Sequence, residues 1–209
     1  GRLCIDVTGL GVDLLTLSAH KIGGPAGVGA LIVVPPLPVR PMLRGGGQER
    51  GWRAGTENAI GIVGFGAAAE QAVAEASAGA DRLAVLRDDF ETRLRTIAPD
   101  LRIHGEAGPR LGNTSCIGMP GVPSETQVMA FDLAGIAVSA GAACSSGKVR
   151  ASNVLAAMGA DEQEAGEAIR VSLGRSTTRA ELDRLVDAWE ALYRHTRARS
   201  PAVRREMRE

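Results

Sequence analysis

The sequence has no excess of either charge, no paired cysteines, almost no lysine and no long apolar run, and each shortage removes a class of function. Lys+Arg and Asp+Glu number 24 each, so the formal net charge is zero. A chain without a basic field has nothing domain-wide with which to hold nucleic acid or an anionic membrane, so its partners are recognised by shape and local chemistry. The three cysteines, Cys4, Cys116 and Cys144, stand far apart, in neither a C-x-x-C spacing nor an even-numbered framework. That argues against a disulfide scaffold and a sulfur-rich zinc site, and makes a reducing cytoplasm the expected compartment. No stretch approaches the ~20 apolar residues that span a bilayer; the most apolar, Gly27 to Val34, has strand length and is closed by Pro35 and Pro36. No internal repeat appears at solenoid periods. The chain opens on Gly1 rather than Met, without a charged leader or processing site, and reads as a piece of a longer polypeptide.

What is present is the composition of a globular protein: 209 residues, 44% hydrophobic and 23% charged, enough for one or two cores. Short apolar runs at Leu14 to Leu17 and Val28 to Val34, bounded by Gly or Pro, read as buried strands of an α/β sheet. Glu57 to Ala76 is Ala-rich and reads as a helix with Thr56 as its N-cap. Asp81 to Ile97 repeats apolar positions at helical spacing and ends before Pro99. These place a domain boundary near Ser77 to Ala80, dividing the chain into residues 1–78 and 79–209. Beyond it the elements shorten: strands at Leu101 to His104, Thr114 to Gly118, Ile136 to Ser139 and Ile169 to Leu173, with helices at Ser124 to Leu133, Ser152 to Met158 and Thr178 to His195. They suggest a small α/β domain. The Arg-rich tail from Arg197 to Glu209 is expected to fray.

Arginine is abundant, yet lysine occurs only at positions 21 and 148. A chain that takes its positive charge from arginine has kept Lys21 in a Ser-x-His-Lys turn at the end of a strand, and only an amine that loses its proton forms a Schiff base. Ser18 and His20 are expected on the same side of an extended segment, offering neutral hydrogen bonds to an anionic group such as a phosphate. A lysine merely solvated in a loop is the plainer reading, and the one that suits Lys148.

The segment Ser18-Ala19-His20-Lys21-x-x-Gly24-Pro25-x-Gly27-x-Gly29-Ala30-Leu31 resembles the cofactor-lysine motif of the cysteine desulfurases, of the NifS/IscS type, within the class V aminotransferases. The resemblance implies the fold-type I architecture of pyridoxal 5'-phosphate enzymes, with the second half of the large-domain sheet followed by a small C-terminal α/β domain. It also implies that Lys21 holds the cofactor covalently, and that Ser18 and His20 contact its phosphate or flank the lysine. A second block, Gly45-Gly46-Gly47-Gln48-Glu49-Arg50-Gly51-x-Arg53-Ala54-Gly55-Thr56-x-Asn58, is similar to the family's glycine-rich segment. There the resemblance implies that Thr56 reaches the cofactor phosphate of a neighbouring subunit, which makes a homodimer part of the site; a helix end favours the anion.

Two further blocks follow. Cys144 lies among Ala, Gly and Ser between Gly141 and Gly147, where a thiol has room to move, and resembles the family's persulfide-forming nucleophile. Cys4 and Cys116, in apolar strand-like runs, read instead as small core hydrophobes. Ala168-Ile169-Arg170-Val171-Ser172-Leu173-Gly174-Arg175 places an arginine inside an alternating strand. Arg170 is costly to bury without a carboxylate; an amino-acid substrate supplies one that a planar guanidinium matches bidentately, and an internal Asp or Glu is the alternative. Arg175 is expected to brace the turn before the Thr178 helix.

The four blocks imply a cysteine desulfurase that takes sulfur from L-cysteine, leaves L-alanine and carries a persulfide on Cys144 to iron-sulfur scaffolds or other acceptors. Two other readings stay open at this level. One is a selenocysteine lyase or related lyase that needs no protein thiol; the other is an incomplete piece serving only as an interaction or dimerisation surface. The family's ring-stacking histidine and pyridinium-pairing aspartate have no counterpart from Gly1 onward, so the 209-residue chain by itself is expected to be inactive. It is also expected to expose apolar strand faces in its first part.

Overall fold

The computed structural model describes residues 1–35, 37–141 and 152–199. It divides into two compact units, Gly1–Gly79 and Ala80–Glu209. Among the described residues, no helix is long and apolar enough to cross a membrane.

The first unit opens with a short helix α1 (Val7–Leu10) that the sequence does not announce; Asp6 caps it by accepting from the Thr8 N–H. Strands β1 (Leu14–Ser18) and β2 (Gly29–Val33) then pair antiparallel, with Ser18 opposite Gly29 and Leu14 opposite Val33. The strands lie where the apolar runs put them, but they are not buried: Leu14, Leu17 and Leu31 are all exposed, Leu31 by half. Cys4 is exposed as well, which corrects its reading as a core residue. Apolar composition alone marks a strand that some surface must cover, without supplying the cover within these residues. Among the described residues of this unit, the buried positions are small: Ala19, Gly61, Ala68, Ala72 and Ala76.

Helix α2 (Ala59–Ile97) is one continuous helix of 39 residues, where the sequence suggests two. Its residues up to Gly79 belong to the first unit and those from Ala80 to the second. Nothing between positions 77 and 80 forces a stop: a mid-helix glycine costs about 1 kcal/mol, far less than a proline. Its cap also differs from expectation. Asn58 Oδ1 accepts from the Gly61 N–H at 3.1 Å, so Asn58, not Thr56, starts the helix; a short Asn side chain just ahead of the Ala-rich run makes the stronger cap.

The second unit holds a four-stranded antiparallel sheet in the order β3 (Arg102–Ile103), β4 (Thr114–Gly118), β6 (Ala168–Ser172), β5 (Ser139–Ala140). Helix α3 (Ser124–Leu133) and α6 (Arg179–Arg199) are present, and α4 (Asn153–Ala157) is followed by an unforeseen α5 (Glu162–Gly166), closed by a capping box between Asp161 and Glu164. Arg197 and Arg199, expected to fray, lie within α6. Strand alternation sorts the faces: Ser115, Ile117, Ile169 and Val171 point into a core with Phe90, Leu94, Phe131, Leu185 and Trp189, while the opposite face carries Cys116 and Arg170. Thr178 caps α6 by a reciprocal bond with Glu181, and these bonds hold the exposed Glu181 carboxyl below its ordinary pKa. The turn before it is braced by Arg82, which donates to the Arg175 and Thr177 carbonyls.

Polar groups are buried in this unit as well, Glu91, Ser115 and Gln127 among them. The buried Glu91 carboxylate accepts two bonds from Arg110, at 2.7 and 3.0 Å, and one from the Ser115 hydroxyl at 2.6 Å. Breaking such a pair from one side strands a buried charge, whereas replacing both partners with apolar groups is near neutral. Arg110→Met is therefore expected to cost about 3 kcal/mol in denaturant unfolding, and Glu91→Met with Arg110→Met clearly less; equal losses would show that the pair is not buried as a unit. His104 gives a second expectation. Burial pushes its pKa below the ordinary 6.5, against the pull of Glu164 and aided by Arg102. The unfolded chain then binds the proton more tightly, so the stability His104 supports is intact above about pH 6.5 and falls as pH drops through the lower folded value. His104→Gln should flatten that part of the stability–pH curve; an unchanged slope just below pH ~6.5 counts against it.

Candidate functional site

Lys21 sits in a 3-10 turn, Ala19–Ile22, that begins where β1 ends. The turn rather than a strand carries His20, so Ser18 and His20 do not alternate along one extended face as the sequence suggests. The turn is pinned at Ala19, which is fully buried, donates to the Val28 carbonyl and accepts from the Gly24 N–H. Lys21 and His20 are left exposed, with Ser18 half-buried beside them. Two glycines of the motif are demanded by geometry. Gly27 is left-handed at φ 80°, and a Cβ on Gly29 would stand 2.6 Å from the Leu17 carbonyl oxygen.

Beneath this turn lies a feature the sequence reading missed. A Cβ on Gly64 would stand 2.6 Å from Cγ of Pro25, and one on Gly24 would stand 3.2 Å from Cβ of Ala68. Helix α2 thus offers a floor of small residues, Gly64 and Ala68, one turn apart, against which Pro25 and Gly24 of the Lys21 loop pack. The signal was there as small residues recurring every fourth position inside an Ala-rich helix.

The glycine-rich segment forms a tight turn at Gln48–Gly51 in which two successive non-glycine residues, Glu49 (φ 48°) and Arg50 (φ 56°), are left-handed. Such backbone costs on the order of 1 kcal/mol per residue and gathers at functional loops. Thr56 is exposed, two residues ahead of the Asn58 cap rather than at the helix terminus itself.

The second unit carries Arg170 on β6, exposed, directly opposite Cys116 on β4 and Ser139 on β5. No internal carboxylate pairs with it among the described residues, so the alternative of an Asp or Glu partner finds no support. Cys116 is half-buried against Leu155, Ala165 and Ala168, in keeping with a small core residue, and burial pushes its thiol up despite the opposing charge of Arg170. Cys144, with Lys148, lies outside the described residues. Ser18, His20 and Lys21 are therefore gathered at one strand end, Thr56 stands in the same unit, and Arg170 belongs to the other.

Residues 1–185 match the family described as Aminotransferase class-V. The chain is similar to a protein named cysteine desulfurase from Cereibacter sphaeroides, 46% identical over 96% of this chain and 51% of that one. It is likewise similar to one named cysteine desulfurase IscS from Dictyoglomus turgidum, 39% identical over the same shares. Among solved structures, a NifS-like protein from Rickettsia africae superposes with a TM-score of 0.79 at 35% identity, over 92% of this chain and 50% of that one. The chain spans about half the length of the curated relatives it matches. The expected fold-type I transferase architecture is the one these likenesses support, and the match across residues 1–185 places the chain in the class-V aminotransferase family.

Proposed function

We propose that this chain carries the lysine and the thiol of a pyridoxal 5'-phosphate-dependent cysteine desulfurase, working in the cytoplasm as a homodimer. In this reading residues 1–78 are the later part of the large cofactor domain and 79–209 the small domain. The observation that carries it is Lys21 itself: an exposed amine in the turn that follows β1, in a loop whose Gly24 and Pro25 pack on Ala68 and Gly64, in a chain 46% identical to a named cysteine desulfurase.

The side chains fit the cofactor by their chemistry. Lys21 offers a primary amine, Ser18 and His20 offer hydrogen bonds to a phosphate, and none of the three is bonded to a side chain among the described residues. Thr56 adds a hydroxyl for the phosphate of a neighbouring subunit. When bound, pyridoxal phosphate supplies an electron sink for the bond cleaved at the substrate. The Lys21 amine, deprotonated, moves the proton at the substrate α carbon. Arg170 takes the substrate carboxylate in a bidentate pair, its guanidinium unpaired with any acid among the described residues. Cys144 as thiolate attacks the substrate sulfur, so an S–S bond forms as the C–S bond breaks; L-alanine leaves, and the persulfide passes to an iron-sulfur scaffold or another acceptor.

Borohydride reduction of the cofactor-loaded enzyme should leave a pyridoxyl group on Lys21 by peptide mapping, and alkylation after a pulse of L-cysteine should trap the extra sulfur on Cys144. An adduct mainly on Lys148 defeats the first assignment. Normal sulfur transfer by Cys144→Ala turns the reading toward a lyase that needs no thiol. The floor under the lysine loop makes a separate claim: Gly64→Val drives a branched side chain into the Pro25 ring. At an overpacking cost of ~1–3 kcal/mol, it should weaken cofactor binding roughly tenfold, measured by absorbance titration, while Val63→Ala, on an exposed side chain, should not.

A further inference from the structure

The register of the second sheet sets four side chains in one row across its outer face. Cys116 is paired with Arg170, and Arg170 with Ser139. The β3–β4 register carried one residue further puts His104 opposite Cys116, and the His104 N–H donates to the Cys116 carbonyl at 2.8 Å. Directly opposed residues in an antiparallel sheet hold their Cβ atoms about 5 Å apart. Arg170, on an inner strand, is thereby bracketed by Cys116 on one side and Ser139 on the other. Glu164, on the neighbouring α5, is already engaged: it pairs with Arg102 of β3 and closes the capping box of its own helix.

Cys116 is held in place from behind. It packs against the cluster of Leu155, Ala165 and Ala168, so the thiol has an apolar backing while its strand position sets it in the row that holds the cation. The two are in electrostatic reach: the Arg170 charge lowers the thiol's pKa, while burial, the larger effect, raises it and keeps the sulfur protonated. A neutral sulfur there offers the guanidinium a wall without a counter-charge.

We propose that Cys116 and Ser139 are positioning residues for Arg170: small, uncharged side chains that fix the guanidinium from both sides of its rung, leave it unpaired, and so reserve it for the carboxylate of an amino-acid substrate. The inference rests on the reading of Arg170 as the carboxylate-binding residue. An acid at either position would pair with Arg170 and compete with the substrate.

Two measurements test it. In the 209-residue chain without cofactor, Arg170→Gln should slow iodoacetamide alkylation of Cys116 near pH 9 by roughly twofold or more, read by peptide mass spectrometry with the exposed Cys4 as internal standard; an unchanged rate removes the coupling and the proposal with it. In the cofactor-loaded full-length enzyme, Cys116→Asp and Cys116→Asn differ in charge at nearly equal volume. The Asp variant is expected to show a KM for L-cysteine roughly tenfold above that of the Asn variant, with kcat values within about twofold of each other. Equal KM values in the two overturn the inference. Arg170→Gln separates the layers: a raised KM there, with no Asp–Asn difference, defeats the positioning role alone, whereas an unchanged KM defeats the reading of Arg170 on which it stands.

Discussion

Helix α2 runs without a break from its Asn58 cap to Ile97, and both units take their packing from the side chains spaced along it. Before Gly79 those that face inward are small. Gly64 and Ala68 let Pro25 and Gly24 of the loop that bears Lys21 approach to contact distance. After Ala80 they are large: Leu83, Phe90 and Leu94 enter the core of the second unit. The helix serves two purposes through one geometric rule, the return of every fourth residue to the same face. Small residues supply proximity and little burial energy; large ones supply burial at about 25 cal/mol per Å² of apolar area removed from water.

That division explains where each unit draws its stability. Among its described residues the first buries only alanines and a glycine and leaves Leu14, Leu17, Leu31, Ile60, Val63 and Val73 exposed, so its order rests on backbone bonds, tight glycine contacts and the helix. The second closes a core around Trp189, Phe90 and Phe131 on one face of a four-stranded sheet. Its edges are tied by longer reaches: Tyr193 donates to Asp100 at 2.8 Å, and Arg197 stacks over the Tyr193 ring.

Element types were legible wherever a period or a cap was strong. The β4 and α3 bounds expected from the sequence match those observed, and β6 differs by a single residue at each end. The errors have separate physical origins. Residues 77–80 look like a linker by composition, yet without a proline the helix carries through. Thr56 and Asn58 are both competent caps two residues apart, and only the location of the first helical turn decides between them. Cys4 lies in an apolar run, but burial depends on what packs over the run, which local pattern does not encode. Of the site, Lys21 and Arg170 could be found by rarity and by a charge set among apolar residues. The floor at Gly64 and the row around Arg170 could not, since each depends on contacts between elements distant in sequence.

The bond from Ser115 to the buried Glu91 acts as an index mark on β4. A strand can slide by one residue while keeping most of its ladder bonds, but the slip exchanges its two faces. For β4 that would turn Ser115 outward and send Cys116 into the core, leaving Glu91 one donor short and Arg170 beside a different neighbour. A hydroxyl on the inner face, matched to one acceptor on a helix, makes the two alignments unequal in energy. The outer row of the sheet thus inherits its order from a polar contact on the side that faces away from it.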